Sequence, residues 1–129
     1  MANYITQVGP KGIYSGGSGG WPGGYYEIPY GATVVPDLAN GLTQEITLTG
    51  NVIFGVPVRG GGALIAGDWL VLKIIQDATG SRTITWNAVY LLPPDLTPAP
   101  DTLSIVSWKY NLDGAWEIDG AIQTGVPIP

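Results

Sequence analysis

The segment LVLKIIQDATGSRTITW, residues 70–86, decides the fold class, because it contains two short apolar runs joined by a polar turn. Gly80 permits a tight turn, and Asp77 and Ser81 are residues whose side chains bind turn backbone. Arg82 keeps the polar tip of the turn in water. The segment therefore predicts a β-hairpin that serves as the wall of a sheet and whose turn carries no chemistry.

The composition extends this prediction to the whole chain. Twenty glycines and 11 prolines among 129 residues interrupt the sequence too often for long helices. Charged residues make up only 12%, which is about half the usual share. A chain of this length forms one domain with a substantial core. We therefore expect an all-β domain.

Short apolar runs separated by turn residues continue along the rest of the chain. The final pair, residues 103–110 and 115–119, is joined through NLDG, and an Asp-Gly step between alternating segments is a strong hairpin signal. Six to eight short strands at such spacing are typical of a sandwich or jelly roll. We predict an antiparallel β-sandwich, jelly-roll-like domain over residues 32–129.

Residues 1–31 differ in composition from this domain. Nine glycines lie between positions 9 and 31 and alternate with aromatic residues, whereas flexible linkers lack aromatics. This pattern predicts an extended N-terminal arm with large anchors for a partner surface. The alternative is a segment strapped across its own domain. The predicted partner-binding side chains are Tyr14, Trp21, Tyr25, Tyr26 and Tyr30.

The strand at residues 69–76 is apolar on both faces. Leu70, Leu72 and Ile74 form a core face, and the opposite face is too apolar to lie comfortably in water. Such a strand is either covered by a second sheet and a loop or buried against another subunit. We favour a subunit interface, formed by Trp69, Val71, Lys73 and Ile75.

Several function classes are disfavoured by what the sequence lacks. The net charge is −5 and the five basic residues are scattered, so nucleic-acid binding is not expected. GGSGG at residues 16–20 fits the G-x-S-x-G pattern around Ser18, but the chain has no histidine to serve as base. There is also no cysteine. We predict no catalytic residue, no enzyme activity, no cofactor and no metal.

No segment suggests a membrane or a Sec-type signal. Apolar runs fall short of the ~18 residues of a membrane helix, and the N-terminus has neither a basic end nor an apolar stretch. We expect a protein made in a cytoplasm that binds no membrane.

Two binding alternatives remain open. Asp113, Glu117 and Asp119 could supply oxygen ligands to calcium, although carboxylates on an outward strand face are usually only solvated.

The five tryptophans suggest a sugar-binding site, because flat aromatic rings stack on sugar faces. Three of them alternate in step with the apolar residues of their strands and are expected in the core: Trp86, Trp108 and Trp116. Trp21 and Trp69 remain as the candidates for sugar contact.

Two stretches carry a resemblance to a known module. AGDWLVLKIIQDATGSRTITWNAVYLLPP and LSIVSWKYNLDGAWEID resemble a module that recurs in structural proteins of tailed bacteriophages. The resemblance spans residues 67–119, together with TLTGNVIF upstream. It implies a β-sandwich building block, often oligomeric, and brings no catalytic residue.

The chain is short for a fibre or spike protein and consists almost entirely of this module plus the arm. We therefore expect a capsid cement (decoration) protein that binds the major capsid protein at the capsid surface of the virion as a homo-oligomer, with a homotrimer favoured. Each arm would bind weakly, and an oligomer anchored by several arms would bind tightly through multivalency. The alternative is a head or tail fibre, tail or neck component with a receptor- or glycan-binding role.

Overall fold

The computed structural model describes residues 24–128. Over these residues the chain forms nine strands and one short 3₁₀ helix, Leu38–Asn40. The strands are β1 Tyr25–Glu27, β2 Thr33–Val34, β3 Thr43–Leu48, β4 Val52–Phe54, β5 Trp69–Gln76, β6 Ile84–Trp86, β7 Thr102–Tyr110, β8 Trp116–Ile118 and β9 Gln123–Pro127. The prediction of an all-β fold is confirmed. No helix in this part of the chain is long and apolar enough to cross a membrane.

The strands form two sheets, and the chain alternates between them. The large sheet has the order β1-β3-β5-β7-β8, with β9 also paired to β7. The small sheet has the order β2-β4-β6. Strands β1, β3 and β5 are mutually parallel, as are all three strands of the small sheet. Strand β7 is antiparallel to β5, so the large sheet is mixed.

The predicted hairpin at residues 70–86 is wrong, and the predicted antiparallel pairing is wrong for four of the seven strand pairs of the described residues. Strands β5 and β6 lie in different sheets: Ile74 is paired with Ile46 of β3, and Trp86 with Phe54 of β4. The two-residue alternation that predicts the strands is common to parallel and antiparallel sheets, so it cannot specify pairing direction. The turn therefore joins two sheets instead of reversing the chain within one.

The side chain of Gln76 binds the backbone at the point where the chain changes sheets. Its Nε2 donates to the Arg82 carbonyl at 2.9 Å, and its Oε1 accepts from the Arg82 N–H at 3.0 Å. Gln76 is buried, so its amide satisfies backbone groups that a hairpin would pair through the ladder. Gly80 has φ +70 and packs against the backbone of Pro98 and Pro100.

The C-terminal hairpin agrees with the sequence. Strands β7 and β8 are antiparallel, with Tyr110 opposite Trp116. In the turn, Asn111 Oδ1 accepts from the N–H groups of Asp113 and Ala115, and Gly114 adopts φ +81. Glycine takes this left-handed conformation without steric cost, as the Asp-Gly signal predicts.

The two sheets share one core rich in aromatic rings. The Trp86 ring stacks on Phe54 at a centroid distance of 5.1 Å and lies 5.5 Å from Trp108. Trp108 and Trp116 are fully buried, which confirms the predicted core phase of these strands. Large buried aromatic side chains dominate the energetics of a core, so this cluster contributes strongly to the stability of the domain.

Residues 24–31, which the sequence assigns to the arm, are part of the domain. Tyr25 and Tyr26 belong to β1, and Tyr26 packs against the core. The Tyr30 hydroxyl donates to the Asn51 carbonyl at 2.7 Å. Tyr14, Ser18 and Trp21 lie outside the described residues.

Candidate interaction surfaces

The side of the large sheet that faces away from the small sheet is here called the outer face. Its side chains on β5 are the four predicted interface residues, of which Trp69 is 45% exposed and the other three are half-buried. The small sheet packs against the opposite side, so it leaves these side chains uncovered. The structure thus brings the predicted interface residues together on one surface: Trp69, Val71, Lys73 and Ile75.

Neighbouring strands extend the apolar part of the outer face. Ile75 is opposite Leu103 of β7, and Leu103 is in turn opposite Val126 of β9. Ile105 lies beside Lys73. Aligned side chains on adjacent strands form a continuous surface. The outer face is therefore a partly exposed apolar surface, which is typical of protein contacts.

Two lysines cross this surface, and each lies over an aromatic ring. Lys73 Nζ is 5.2 Å from the centre of the Tyr25 ring, and Lys109 Nζ is 5.4 Å from that of Trp69. Lys109 also pairs with Asp119 at 3.1 Å. These contacts hold the lysine stems along the sheet and the charges at its edge, which leaves the apolar side chains accessible.

Tyr25 is fixed on the outer face by Glu45. Its hydroxyl donates to the Glu45 carboxylate, and this bond, with burial as a smaller cause, raises the pKa of Tyr25. The phenol is therefore a hydrogen-bond donor at neutral pH and contributes no charge. Its ring completes the aromatic border of the outer face.

A groove lies between the end of the sheet-changing turn and the proline-rich loop at residues 91–100. Its volume is about 490 Å³, and Arg82, Trp86 and Asp95 are among its lining residues. Arg82 is paired with Asp77 at 2.9 Å, and this guanidinium lowers the pKa of the Asp77 carboxyl. Hydroxyl groups, proline rings and two aliphatic side chains form the rest of the lining: Ser81, Thr83, Pro93, Pro94, Pro98, Ile84 and Leu96.

Trp86 is the aromatic residue of this groove, whereas the sequence pointed to Trp21 and Trp69 for sugar contact. Trp86 is only half-buried, so part of its ring lines the groove while the rest packs in the core. The two-residue alternation placed Trp86 in the core and gave no signal that its ring also lines a groove. Nor did it reveal Leu92 and Leu112, which are 91% and 93% exposed in two surface loops.

The carboxylates considered for calcium do not form a cluster. Asp119 pairs with Lys109, and Glu117 accepts a hydrogen bond from Asn111. Within residues 24–128, no group of three or more ligating side chains is placed to hold a metal ion. Tyr90 is likewise structural: its hydroxyl donates to the Gly55 carbonyl, and burial raises its pKa.

Comparison with known protein families adds the deciding observation. Residues 29–115, more than half of the chain, match the family model described as "Putative phage tail fibre C-terminal domain". The chain belongs to this family. Neither the curated proteins nor the solved structures contain a significant match. Membership confirms the resemblance to a phage structural module and makes the chain a virion component.

The family distinguishes between the two functions inferred from the sequence. The family is described as a tail-fibre domain, so the match favours the fibre alternative and gives no support to a capsid cement protein or to a capsid-surface location. The matched range ends at Ala115, after β7, and begins at Pro29, after β1. It therefore contains the sheet-changing turn and most of the outer face.

Proposed function

We propose that this chain is a structural domain of a phage tail fibre and that it works by assembling with other copies through the outer face. The assignment to a tail fibre is supported by the family match. The accessible apolar side chains around Ile75 and Leu103 support the assembly. An apolar sheet face gains stability when a second apolar surface removes it from water, at about 25 cal/mol per Å².

The outer face is suited to a subunit contact because its charged side chains are held by contacts within the domain. Lys109 is neutralised by Asp119, and Lys73 covers an aromatic ring. An approaching copy would therefore bury apolar side chains of β5, β7 and β9, while Lys73 and the neighbouring Glu45 keep their contacts with Tyr25. Homo-oligomerisation is part of this proposal, and the number of subunits is left to measurement.

Receptor binding is a second candidate function, favoured by the groove beside the proline-rich loop. Its polar groups, Arg82 and Asp95, stand next to the exposed part of Trp86. Apolar lining with a few convergent polar groups is the usual character of a ligand site. Replacing Asp95 with Ala is expected to reduce phage adsorption to host cells if this groove contacts the receptor, while the fold stays intact.

Localisation of the protein on the particle tests the proposed function. Intact virions would be labelled with gold-conjugated antibodies raised against residues 24–128 and viewed by electron microscopy. We expect gold particles along or at the ends of the tail fibres. Gold distributed over the head would overturn the fibre assignment and restore the capsid cement interpretation.

A further inference from the structure

Both sheets begin at the same end of the molecule, and their first strands are edge strands. The large sheet begins with β1 and the small sheet with β2, followed by β3 and β4 respectively. At the other side of the large sheet, β8 and β9 are paired along β7. We call the end formed by β1 and β2 the open end, because among residues 24–128 no strand pairs with their outer edges.

The hydrogen bonds of β1 show which backbone groups face outward. Thr43 N–H donates to the Gly24 carbonyl at 3.2 Å, and Ile28 N–H donates to the Glu45 carbonyl at 2.7 Å. In a parallel pair, alternate residues direct both backbone groups to the same neighbour. Tyr25 and Glu27 therefore direct their N–H and C=O groups away from β3 and toward the open edge.

Strand β2 has the same arrangement. Ile53 N–H donates to the Ala32 carbonyl at 2.9 Å, and Gly55 N–H donates to the Val34 carbonyl at 2.8 Å. Thr33 is consequently directed toward the open edge. Among the described residues, β1 and β2 thus each direct unpaired donors and acceptors away from their own sheet, and such an edge is a template for an added strand.

A cavity of about 220 Å³ lies between β1 and β2 at the open end. Tyr26, Ile28 and Val34 are among its lining residues, as is Gln44. Gln44 is fully buried, and its Nε2 donates to the Asp37 and Gly41 carbonyls at 2.7 and 2.8 Å. Among residues 24–128, no donor lies within hydrogen-bond distance of its Oε1. A buried acceptor without a donor is unfavourable. The cavity therefore has space for a side chain, and a side chain that donates a hydrogen bond to Gln44 Oε1 would be stabilised there.

Charge at the open end indicates what kind of strand fits. Glu27 is directly opposite Glu45 in the β1–β3 pair. Neither carboxylate forms an ion pair within the described residues. Like charges in opposite positions are destabilising, and β1 of a second copy would add further carboxylates. A basic side chain beside Glu27 would relieve the repulsion.

We propose that the open end is a docking site for one extended segment of a neighbouring virion protein. The segment would run parallel to β1 and pair with the backbone of Tyr25 and Glu27. It would place a basic side chain beside Glu27 and a hydroxyl or amide donor near Gln44 Oε1. The proposal rests on the proposed function in one respect, because it assumes that the neighbouring protein is part of the fibre assembly.

Amide hydrogen exchange of the full chain tests this proposal. The probe is a synthetic heptapeptide, Thr-Val-Thr-Ser-Lys-Val-Thr, and the control peptide has glutamate in place of the lysine. We expect the lysine peptide to slow exchange at the Tyr25 and Glu27 amides and to bind at least about threefold more tightly than the control. Absence of binding, or protection confined to the outer face, would overturn the proposal.

Two variants at one position separate backbone pairing from charge. Glu27→Pro removes an outward donor but leaves the Ile28 and Thr43 bonds to β3 intact, so binding of the lysine peptide should be lost in a folded protein. Glu27→Gln keeps the donor and removes one of the two facing carboxylates, so binding should persist with a weaker preference for lysine. Equal binding by both variants would contradict the assigned edge.

The same exchange experiment identifies competing occupants. If the Tyr25 and Glu27 amides are already protected in the full chain without peptide at every concentration, residues before Gly24 occupy the edge and the proposal fails. Protection of these amides that grows with protein concentration even in Ile75→Asp, which removes the outer-face contact, would assign the edge to a second copy and also overturn it. None of these outcomes affects the gold-labelling result, which tests the fibre assignment separately.

Discussion

Gly80 is a single position on which the change of sheets depends. A Cβ atom added there would lie 2.7 Å from the Pro98 carbonyl oxygen and 2.8 Å from the Pro100 nitrogen. Both neighbours are backbone atoms, so they cannot move aside as a flexible side chain would. The residue thus couples the sheet-changing turn to the proline-rich loop that borders the groove.

Replacing Gly80 with Ala is expected to lower the free energy of unfolding by about 2–4 kcal/mol, because positive φ and a backbone clash add together. Chemical denaturation measures the change. Gly120→Ala is the matched control, since Gly120 has φ +106 but no atom within 4 Å of an added Cβ. The control should lose only about 1–2 kcal/mol. Equal losses would show that the close packing at Gly80 is absent.

The Asp77–Arg82 pair in the same turn predicts a dependence of stability on pH. Arg82 is the main cause of the lowered pKa of Asp77. A carboxyl with a lowered folded pKa contributes stability above its ordinary value, about 4, and loses it as pH falls through the folded pKa. Thermal unfolding should therefore show a loss in acid that is smaller in Arg82→Gln. An identical acid profile in the variant would contradict the role of this pair.

The sequence predicts which face of a strand a residue occupies better than it predicts which strands pair with each other. Leu70, Leu72 and Trp108 are buried as their two-residue alternation requires, because the face of a strand does not depend on which strand lies beside it. Gln76 shows the limit of that pattern. It lies in core phase, but only the folded structure shows its amide bound to Arg82 across the turn.

At the scale of elements, the alternation of strands between two parallel-paired sheets distinguishes this fold from a hairpin-based sandwich. Ile53 of β4 and Thr85 of β6 are opposite one another in the small sheet. In a hairpin centred on Thr79, Thr85 would instead lie opposite Lys73. The two arrangements therefore place different residues next to Thr85.

Paired cysteines can discriminate between the two arrangements, because the natural chain contains no cysteine. The Ile53→Cys/Thr85→Cys protein should form an intramolecular disulfide on mild oxidation, since Cα atoms of paired strands lie within disulfide range. The Lys73→Cys/Thr85→Cys protein should not. Free-thiol titration and mass spectrometry measure the outcome. The reverse result would restore the hairpin.

The β1 edge shows how an element can be missed from sequence. Residues 25–27 follow a glycine-rich stretch, so composition assigned them to the arm, although they pair with Thr43–Leu48 in the large sheet. Three residues give too short a pattern to be recognised as a strand. Their position becomes visible only when β3 supplies the neighbouring backbone.

At the scale of the whole molecule, the sequence predicted an apolar strand face but not the surface to which it belongs. Trp69 and Ile75 were identified from β5 alone, whereas Leu103, Ile105 and Val126 come from strands brought beside it by the fold. The groove was missed for the same reason, since it joins residues around Trp86 to a loop further along the chain. Long-range packing creates both surfaces.

The central claim is that the chain works by associating through the outer face, and its mass in solution tests that claim most directly. Analytical ultracentrifugation of the full chain should give a multiple of the 13.5 kDa protomer. Ile75→Asp should yield single protomers, because it buries an unpaired charge in the contact. Ile53→Asp, on the exposed side of the small sheet, should leave the assembly unchanged. A wild-type protein that remains a single 13.5 kDa protomer at all concentrations would contradict the claim.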